Sequence, residues 1–467
     1  VHMSLDFLPL RSYANITEGN ALRLDWESVV PKHQLSYIMG NPPFVGYSLQ
    51  SKEQKKDILS IYVNEKGKPY KTAGKIHYVA GWYFKASQLI QGTNIRIAFV
   101  STNSITQWEQ VAGVWKPLYD RFGIHIDFAY RTFRWDSEAN LKAHVHCVIV
   151  GFSVAPNNAE KRIYSEEHFQ MAENINAYLM DAPTVFIESR SKSLCEVPEM
   201  LYGNKPTDGG FLFLTNDEYQ DVQKREPEIL KYIRRVYGAS EFINNKPRFC
   251  IWLVGVSPAE VRKSKFIMER VESVRKFRLA STKAATRKSA EMPTLFQEVR
   301  HPNSDYIIVP CHSSETRKYI PLGFVSPEII VNDAVQIIPN ATTYHFGVLT
   351  SNVHMAWMRA VCGRIKSDYR YSKDIVYNNF PWPTPTEEQK TKIEQTAQGI
   401  LDARALYTDC SLADLYDEVT MPVELRRAHQ ANDKAVMAAY GFPVRTTTES
   451  SCVAELMRMY QRLVEGK

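Results

Sequence analysis

The sequence lacks the features that define several classes of protein. Its longest apolar stretch, residues 147–155, is far too short to cross a bilayer, so we expect no membrane partner. Its seven cysteines are scattered singly without a Cys-x-x-Cys pair, which argues against a zinc knuckle or a disulfide framework and fits a reducing cytoplasm. No Gly-x-Gly loop follows any predicted strand. We therefore predict no metal site and no glycine-rich nucleotide loop in this chain.

The composition is that of a globular protein with more than one domain. Of its 467 residues, 44% are hydrophobic and 23% are charged, and this length favours two or three domains. The formal net charge is +6. Residues 262–288 hold ten Lys or Arg residues against two Glu residues, so the positive charge is a local feature and not a diffuse one.

The pattern of apolar residues predicts three domains. Residues 4–155 alternate β-rich runs (35–39, 95–100, 124–130 and 144–152) with a helical stretch at 78–91, which is typical of an α/β domain with a mostly parallel sheet. A polar loop at 154–161 marks a boundary, and residues 156–383 mix strands and helices as an α+β domain does. Residues 384–467 are predicted to form a small helical domain, with Ile393, Ala397, Ile400 and Leu401 on one helix face.

One motif with specific chemistry, Asn41-Pro42-Pro43-Phe44, follows directly on the first predicted strand. The carboxyl end of a strand is the usual position of an active site in an open α/β sheet. Prolines have no N–H group, so their carbonyl groups stay free to accept a hydrogen bond. The carbonyl of Pro42 and the side-chain oxygen of Asn41 would hold an exocyclic amino group, while Phe44 would stack on its heterocycle. The alternative is an ordinary rigid turn, which the strand context disfavours.

This motif resembles the catalytic motif of DNA methyltransferases that act on amino groups, and its Asn and Phe variant resembles the adenine-N6 class. Gly19-Asn20-Ala21-Leu22, followed by Asp25 and Trp26, is similar to the segment of that class that approaches the adenine ring of S-adenosylmethionine. Segments 101–105, 134–135 and 143–147 resemble its later motifs in the same order.

The resemblance narrows to one family in the second and third domains. Segments 242–253 and 313–315, and above all 362–372 with 377–383, resemble the target-recognition domain of MmeI-like, type IIL restriction-modification enzymes. In that family one polypeptide carries an endonuclease, an adenine methyltransferase, a target-recognition domain and a helical tail. The resemblance implies an incomplete class I, Rossmann-like methyltransferase sheet followed by an α+β recognition domain and the helical domain.

Two parts of the family pattern are missing from the sequence. Neither the cofactor loop of the type Asp-Pro-x-x-Gly-x-Gly nor a nuclease constellation is present, so we expect the larger C-terminal part of such an enzyme. The resemblance implies S-adenosylmethionine in the full-length protein, with Asn20 and Ala21 as partial contacts, and Mg²⁺ only for the absent nuclease. We expect this chain alone to bind the cofactor poorly or not at all and to be inactive. His77 and Trp108 stand where the family has an acidic residue and a glycine.

Double-stranded DNA is the expected partner. The basic stretch would contact backbone phosphates, because neutralising phosphate charge supplies most non-specific affinity. A solvated helix face is the alternative interpretation. The cationic side chains that we assign to phosphate contacts are Lys276, Arg278, Lys283, Arg287 and Lys288.

Base reading is assigned to a separate segment. Lys366 and Asp368 are two residues apart, so on an extended segment they point the same way. Lys366 can donate to guanine while Asp368 accepts from its paired cytosine, which would read one G·C pair. By resemblance, these positions determine a base pair beside the methylated adenine; the alternative is a surface ion pair. Arg364 and Arg370 flank the pair and would contact a phosphate or a base. Asp333 resembles a further specificity position, and segment 311–317 resembles a weaker one.

These features together predict a cytoplasmic, bacterial adenine-N6 DNA methyltransferase of a restriction-modification system, present as a C-terminal fragment that recognises DNA. A fragment that only binds DNA is the alternative. A protein-glutamine methyltransferase uses the same Asn-Pro-Pro-aromatic chemistry, but that class needs no large basic recognition domain. The DNA target sequence and the oligomeric state are not predicted.

Overall fold

A computed structural model describes residues 16–136, 144–156, 159–166, 168–365 and 367–466 of the chain. These residues form two compact units, one ending at Phe186 and the other starting at Ile187. In the part of the chain that the structure describes, no helix is long and apolar enough to cross a membrane.

The first unit is built on a six-stranded sheet. Its strands are β1 (Tyr37–Gly40), β2 (Arg96–Thr102), β3 (His125–Asp136), β4 (His144–Ser153), β5 (Lys161–Ser165) and β6 (His168–Ala172). Their order in the sheet is β1-β2-β4-β3-β5-β6, which makes β1 an edge strand. β1 pairs with β2 in parallel, from Tyr37 opposite Arg96 to Gly40 opposite Phe99.

The sheet is mixed, so the prediction of a mostly parallel sheet was wrong. Only β1 with β2 and β3 with β5 run in parallel, and the other neighbouring strands of this sheet are antiparallel. The reason is that β3 pairs directly with β4, and β5 with β6, without the crossover that a parallel pair requires. The predicted domain boundary at 154–161 falls between β4 and the start of β5, two strands of this same sheet, and its residues 157 and 158 lie outside the described residues.

Helices pack on this sheet and confirm the α/β class of the first unit. They are α1 (Lys52–Ile61), α2 (Ala80–Leu89), α3 (Trp108–Gln110) and α4 (Lys116–Phe122). α1 begins with a capping box, in which the Ser51 side chain accepts from Gln54 N and the Gln54 side chain accepts from Ser51 N. α2 buries Tyr83, whose ring stacks on Phe152 of β4 and meets Phe99 of β2 edge-on. These ring contacts fix α2 on the sheet.

The second unit contains three small sheets. Its strands are β7 (Leu201–Tyr202), β8 (Phe213–Leu214), β9 (Ile233–Tyr237), β10 (Phe249–Ile251), β11 (Tyr306–Pro310), β12 (His312–Ser313), β13 (Gly323–Val325), β14 (Ile330–Val331), β15 (Val335–Pro339), β16 (Gly363–Ile365) and β17 (Asp368–Arg370). The sheet orders are β14-β9-β10-β8, β13-β11-β15-β7 and β12-β17-β16. β11 is a central strand, and all five of its residues are buried.

The helices of the second unit surround these sheets. They are α5 (Asn216–Arg225), α6 (Ala239–Asn244), α7 (Pro258–Val261), α8 (Lys265–Leu279), α9 (Ala284–Lys288), α10 (Thr343–Leu349), α11 (Asn352–Val361), α12 (Glu387–Ala405), α13 (Leu412–Leu415), α14 (Val423–Tyr440) and α15 (Glu449–Glu465). α8 buries Ile267, Val271 and Val274 in the core beside β8 and β10. The predicted helix face is confirmed for Ile393, Ala397 and Ile400, which α12 buries, whereas Leu401 is half-buried. The end of the chain is helical, as predicted, and it belongs to the same compact unit as the three sheets.

Candidate functional site

The Asn41-Pro42-Pro43-Phe44 corner lies where we predicted it, directly after the last residue of β1. Pro42 is buried, whereas Asn41 and Pro43 are exposed. Since neither proline has an N–H group, the strand pairing with β2 ends at Gly40 and the chain turns away from the sheet. The corner therefore presents the Asn41 carboxamide to solvent on a rigid backbone.

An open cavity of about 580 Å³ lies beside this corner. Most of its wall is apolar or aromatic. Its polar groups include the Asn41 and Asn20 carboxamides and the Tyr78 hydroxyl. The lining residues are Gly19, Asn20, Ala21, Trp26, Ile38, Met39, Gly40, Asn41, Pro42, Pro43, Tyr78, Trp82 and Phe99. Ring-lined walls with a few polar groups suit a flat heterocycle that carries an amino group. Phe44 comes next in the chain, is half-buried, and is not among the lining residues.

The cavity brings together two predicted groups of site residues. Asn20 and Ala21, which we assigned to the cofactor, form one wall, and the Asn41 corner forms another. The Asn20 side chain is held in place, because its Oδ1 accepts from Leu22 N at 3.0 Å and its Nδ2 donates to Asp57 Oδ2 at 2.9 Å. Sequence reasoning did not identify Tyr78 and Trp82 as lining residues, although both lie in the helical stretch predicted at 78–91.

Asp57 on α1 is the buried anion behind this wall. It accepts hydrogen bonds from Arg23 Nε at 2.7 Å, Asn20 Nδ2 at 2.9 Å and the Tyr78 hydroxyl at 3.0 Å. Burial alone would raise the pKa of the Asp57 carboxyl, but these three donors lower it and prevail. Asp57 is therefore ionised at neutral pH, and nothing in its local sequence identifies it.

His77 and Trp108, the two residues that depart from the family pattern, differ in their structural surroundings. His77 donates its backbone N–H to Gln110 Oε1 at 3.0 Å, and burial lowers the pKa of its imidazole, so the ring is neutral at pH 7. Trp108 has a φ of 52°, in the left-handed region that favours glycine. The backbone conformation at this position therefore explains why a glycine is expected here. A residue with a side chain at this φ carries strain of about 1–2 kcal/mol.

The predicted base-reading residues lie on the small sheet β12-β17-β16. Asp368 and Arg370 are exposed on one face of β17, and Tyr369 between them is buried on the other. Asp368 Oδ1 accepts from Glu315 N at 3.2 Å. Lys366 lies outside the described residues, so the pairing with Asp368 stays a prediction.

Asp333 lies close to this face of the sheet. It is exposed in the turn between β14 and β15, and the carbonyl of the next residue, Ala334, accepts from Cys311 N at 3.2 Å. Cys311 immediately precedes β12, whose His312 lies opposite Arg370. The start of the weaker predicted segment, 311–317, therefore lies between the turn that holds Asp333 and the strand that holds Asp368 and Arg370. Arg364 is engaged locally, because it donates to Ser367 O at 2.9 Å and its guanidinium lies over the Tyr369 ring at 4.4 Å.

One predicted phosphate contact, Arg278, is wrong. Its side chain is fully buried and donates to five backbone carbonyl groups at 2.7–3.1 Å, those of Pro206, Thr207, Ser289, Met292 and Leu295. Its fork of N–H groups holds a loop together and presents nothing to solvent. The reason for the error is helix phase, since Arg278 continues the buried stripe of Ile267, Val271 and Val274 on α8.

The other predicted phosphate contacts are exposed. Lys276 lies on α8, Lys283 precedes α9, and Lys288 ends α9. Arg287 is also exposed, but it donates to the carbonyls of Ser281 and Thr282 at 2.9 and 2.8 Å, which ties its position to the loop before α9. The basic stretch therefore presents a positive surface at its C-terminal end.

Three family models match consecutive parts of the chain. They describe the MmeI DNA-methyltransferase domain at residues 1–165, the MmeI target recognition domain at 181–384 and the MmeI C-terminal domain at 385–466. DNA methyltransferase A of Bacillus subtilis (strain 168) is 37% identical over 460 residues, which are 98% of this chain and 51% of the relative. The chain thus spans about half the length of this curated relative.

A solved structure agrees with the family models. The structure of the type IIL restriction-modification enzyme MmeI in complex with DNA matches this chain with a TM-score of 0.89 and 45% identity. The match covers 98% of this chain and 61% of that chain.

Proposed function

Because the chain belongs to the MmeI-like family of restriction-modification DNA methyltransferases, we propose that it carries the target-base corner and the DNA-reading surface of an adenine-N6 methyltransferase. One observation carries this proposal: the exposed Asn41 carboxamide and the Pro42 backbone border a ring-lined cavity at the carboxyl end of β1. A rigid turn without a ligand would need neither the carboxamide nor the cavity.

The proposed chemistry rests on two hydrogen-bond acceptors. The Asn41 side-chain oxygen and the Pro42 carbonyl would each accept one N–H of the adenine N6 amine. Two acceptors withdraw the nitrogen lone pair from conjugation with the ring and leave it available to attack a methyl group. Positive charge develops on this nitrogen during the transfer, so both oxygens stabilise the transition state more than the ground state.

The adenine must leave the duplex to reach this corner. Extruding a base costs a few kcal/mol, which stacking on an aromatic ring partly offsets. Phe44 follows the two prolines and is half-buried, so its ring is held next to the corner. We assign Phe44 to stacking on the extruded base.

The cofactor proposed for the full-length protein is S-adenosylmethionine, which supplies the methyl group when it is bound. We assign the wall formed by Asn20, Ala21 and Trp26 to the adenine part of this cofactor, and the Asn41 corner of the same cavity to the target base. Trp26 offers an apolar face, and Asn20 and Ala21 offer backbone groups. No Lys, Arg, Asp or Glu lines the cavity among the described residues, so the charged methionine part must be held elsewhere. We therefore expect this chain alone to bind the cofactor poorly and to be inactive.

DNA recognition is proposed for the second unit. Lys276, Lys283 and Lys288 would contact phosphates, and their exposure supports this role. Asp368 and Arg370, exposed side by side on β17, would read base edges together with Lys366. The isolated chain would then be a sequence-reading DNA-binding fragment, which is the second candidate function.

Methylation in cells tests the proposal. We expect the full-length gene, expressed in a host that lacks its own DNA methylation, to produce N6-methyladenine at one defined sequence, detected by nucleoside analysis and by sequencing of modified bases. The same gene with Asn41→Ala is the matched control and should leave the DNA unmodified. Methylcytosine in place of N6-methyladenine would contradict the assignment of the target base.

Salt dependence separates a reader from a backbone binder. Filter binding of this chain to duplexes that do and do not contain the methylated sequence should keep an affinity ratio between them at two salt concentrations. Equal affinities for both duplexes would contradict a recognition role.

A further inference from the structure

The wall formed by residues 19–26 has no regular strand or helix apart from a short 3-10 turn (Trp26–Ser28) at its end. It nevertheless supplies Gly19, Asn20, Ala21 and Trp26 to the cavity. Its backbone forms a turn, in which Asn20 O accepts from Arg23 N at 2.8 Å and from Leu24 N at 3.0 Å. Two side chains outside the cavity lining add further hydrogen bonds to this segment, one from α1 and one from α2.

The first anchor is Lys85 of α2. Its ammonium donates to the backbone carbonyls of Ala21 at 2.9 Å, Leu22 at 3.1 Å and Leu24. A lysine has three N–H donors, and here each has a carbonyl of the same segment as its acceptor. The ammonium also lies 5.3 Å from the centroid of the Trp26 ring, and Trp26 Nε1 donates back to Ala21 O at 2.7 Å. Lys85 therefore fixes both the backbone and the ring of the wall.

The second anchor is Asp57 of α1. It binds the segment twice, through Asn20 Nδ2 and Arg23 Nε, and it also accepts from the hydroxyl of Tyr78, a residue that lines the same cavity. Asp57 is 4% exposed, so its carboxylate is largely shielded from water, whereas its partner Arg23 is exposed. One carboxylate thus sets the distance between Asn20 and Tyr78.

A close packing contact completes the arrangement. Leu22 of the segment is buried against Gly81 of α2, where an added Cβ would lie 3.0 Å from Leu22 Cδ1. A Cβ contact this short forces its neighbour to move by a few tenths of an ångström. Gly81 therefore permits the segment to approach α2 as closely as Lys85 requires.

We propose that Asp57 and Lys85 are positioning residues that fix the cavity wall to which the adenine part of the cofactor is assigned. This inference rests on the proposed function and deepens it. Neither residue lines the cavity, so both act through Asn20, Tyr78 and Trp26. The Asn41 corner belongs to β1 and is not bonded to either anchor, so losing an anchor should weaken cofactor binding and leave the target amine site intact.

The test uses the full-length protein and equilibrium binding. Calorimetric titration with S-adenosylmethionine should show that Lys85→Met raises the cofactor Kd by about tenfold or more, and that Asp57→Asn raises it by about three- to tenfold. Lys85→Arg keeps the charge but not the three-way donor geometry, so an intermediate Kd is expected. Lys55→Met, an exposed lysine on α1, is the matched control and should bind as the wild type does.

Kinetics and a packing variant distinguish positioning from general stability. In methyl-transfer assays the anchor variants should raise the KM for the cofactor while kcat stays within about twofold. Gly81→Ala, which displaces Leu22 without touching either charge, should also raise the Kd. Measurements are made well below the Tm of each variant, so a loss of folded protein does not contribute.

The outcomes separate this inference from the function on which it rests. Anchor variants that bind the cofactor with the wild-type Kd, or that lose kcat at an unchanged KM, would overturn the positioning role while the wild-type enzyme still methylates DNA. A wild-type full-length protein that binds no S-adenosylmethionine would overturn both the proposed function and this inference.

Discussion

Strand β1 of the first unit and strand β11 of the second show opposite relations to their surroundings. β11 lies between two neighbours, and all five of its residues are buried. Among the strands that the structure describes, β1 has a single neighbour, and its Tyr37 and Met39 side chains are 65% and 79% exposed. The strand that precedes the candidate catalytic corner is therefore the less supported of the two.

The exposure of β1 bears on the surroundings of the candidate catalytic corner. An exposed edge strand with apolar side chains is a surface that natural proteins normally cover. The cavity beside β1 also lacks charged lining residues for the methionine part of the cofactor among the described residues. The proposed catalytic role of the first unit therefore requires charged groups beyond the described lining of this cavity.

The largest expected effect is the loss of activity in the isolated chain. Tritium transfer from labelled S-adenosylmethionine to duplex DNA should be undetectable with this chain and readily measured with the full-length protein. The reason is the unsupported cofactor site beside β1. Transfer by the isolated chain at a rate comparable to the full-length protein would remove the contrast between the two units.

Alanine substitutions measure the difference in burial directly. Ile308→Ala in β11 should lower the free energy of unfolding by about 2–5 kcal/mol, because it leaves a cavity in a packed core. Met39→Ala in β1 should change it by less than about 0.5 kcal/mol, because the side chain is exposed. Both changes in the free energy of unfolding would be measured by urea unfolding followed through tryptophan fluorescence. Equal losses in the two variants would contradict the difference in burial between β1 and β11.

Two cations of α8 sharpen the comparison within the second unit. Arg278→Met should cost about 2–4 kcal/mol of stability, because it leaves buried carbonyl groups without a donor. Lys276→Met should leave stability unchanged and reduce the slope of log affinity for DNA against log salt by about 1. If Arg278→Met instead weakened DNA binding without loss of stability, its assignment as a buried structural residue would be wrong.

The smallest expected effect concerns Trp108. Both Trp108→Gly and Trp108→Ala remove the ring, but only glycine relieves the left-handed backbone, so the glycine variant should be more stable by about 1 kcal/mol. Thermal unfolding of the two variants compares them. An alanine variant as stable as the glycine variant would show that this backbone conformation carries no strain.

Local patterns in the sequence predicted those parts of the fold that depend on residues close together in the chain. The strands before and after α2, the position of the Asn41 corner and the buried face of α12 all follow from periodicity and from the lack of N–H groups in proline. The order of strands in the sheet depends on pairing between distant residues, so the two antiparallel hairpins were not predicted.

The errors and omissions in the site have the same physical origin. Arg278 belongs to a run of cations, and only the three-dimensional phase of α8 shows that it points inward. Asp57 and Lys85 lie 37 and 65 residues beyond Asn20, and no spacing rule connects them to it. The departure at Trp108 was noticed in the sequence, but its meaning required the value of φ.

The most direct test of the Asn41 corner is labelled methyl transfer by the purified full-length protein with and without Asn41. Wild-type protein should place the label in N6-methyladenine of duplex DNA, and Asn41→Ala should reduce the rate by at least about 100-fold, while DNA affinity and Tm stay unchanged because Asn41 is exposed. Transfer by Asn41→Ala at the wild-type rate, or label recovered in methylcytosine, would contradict the proposed role of this corner.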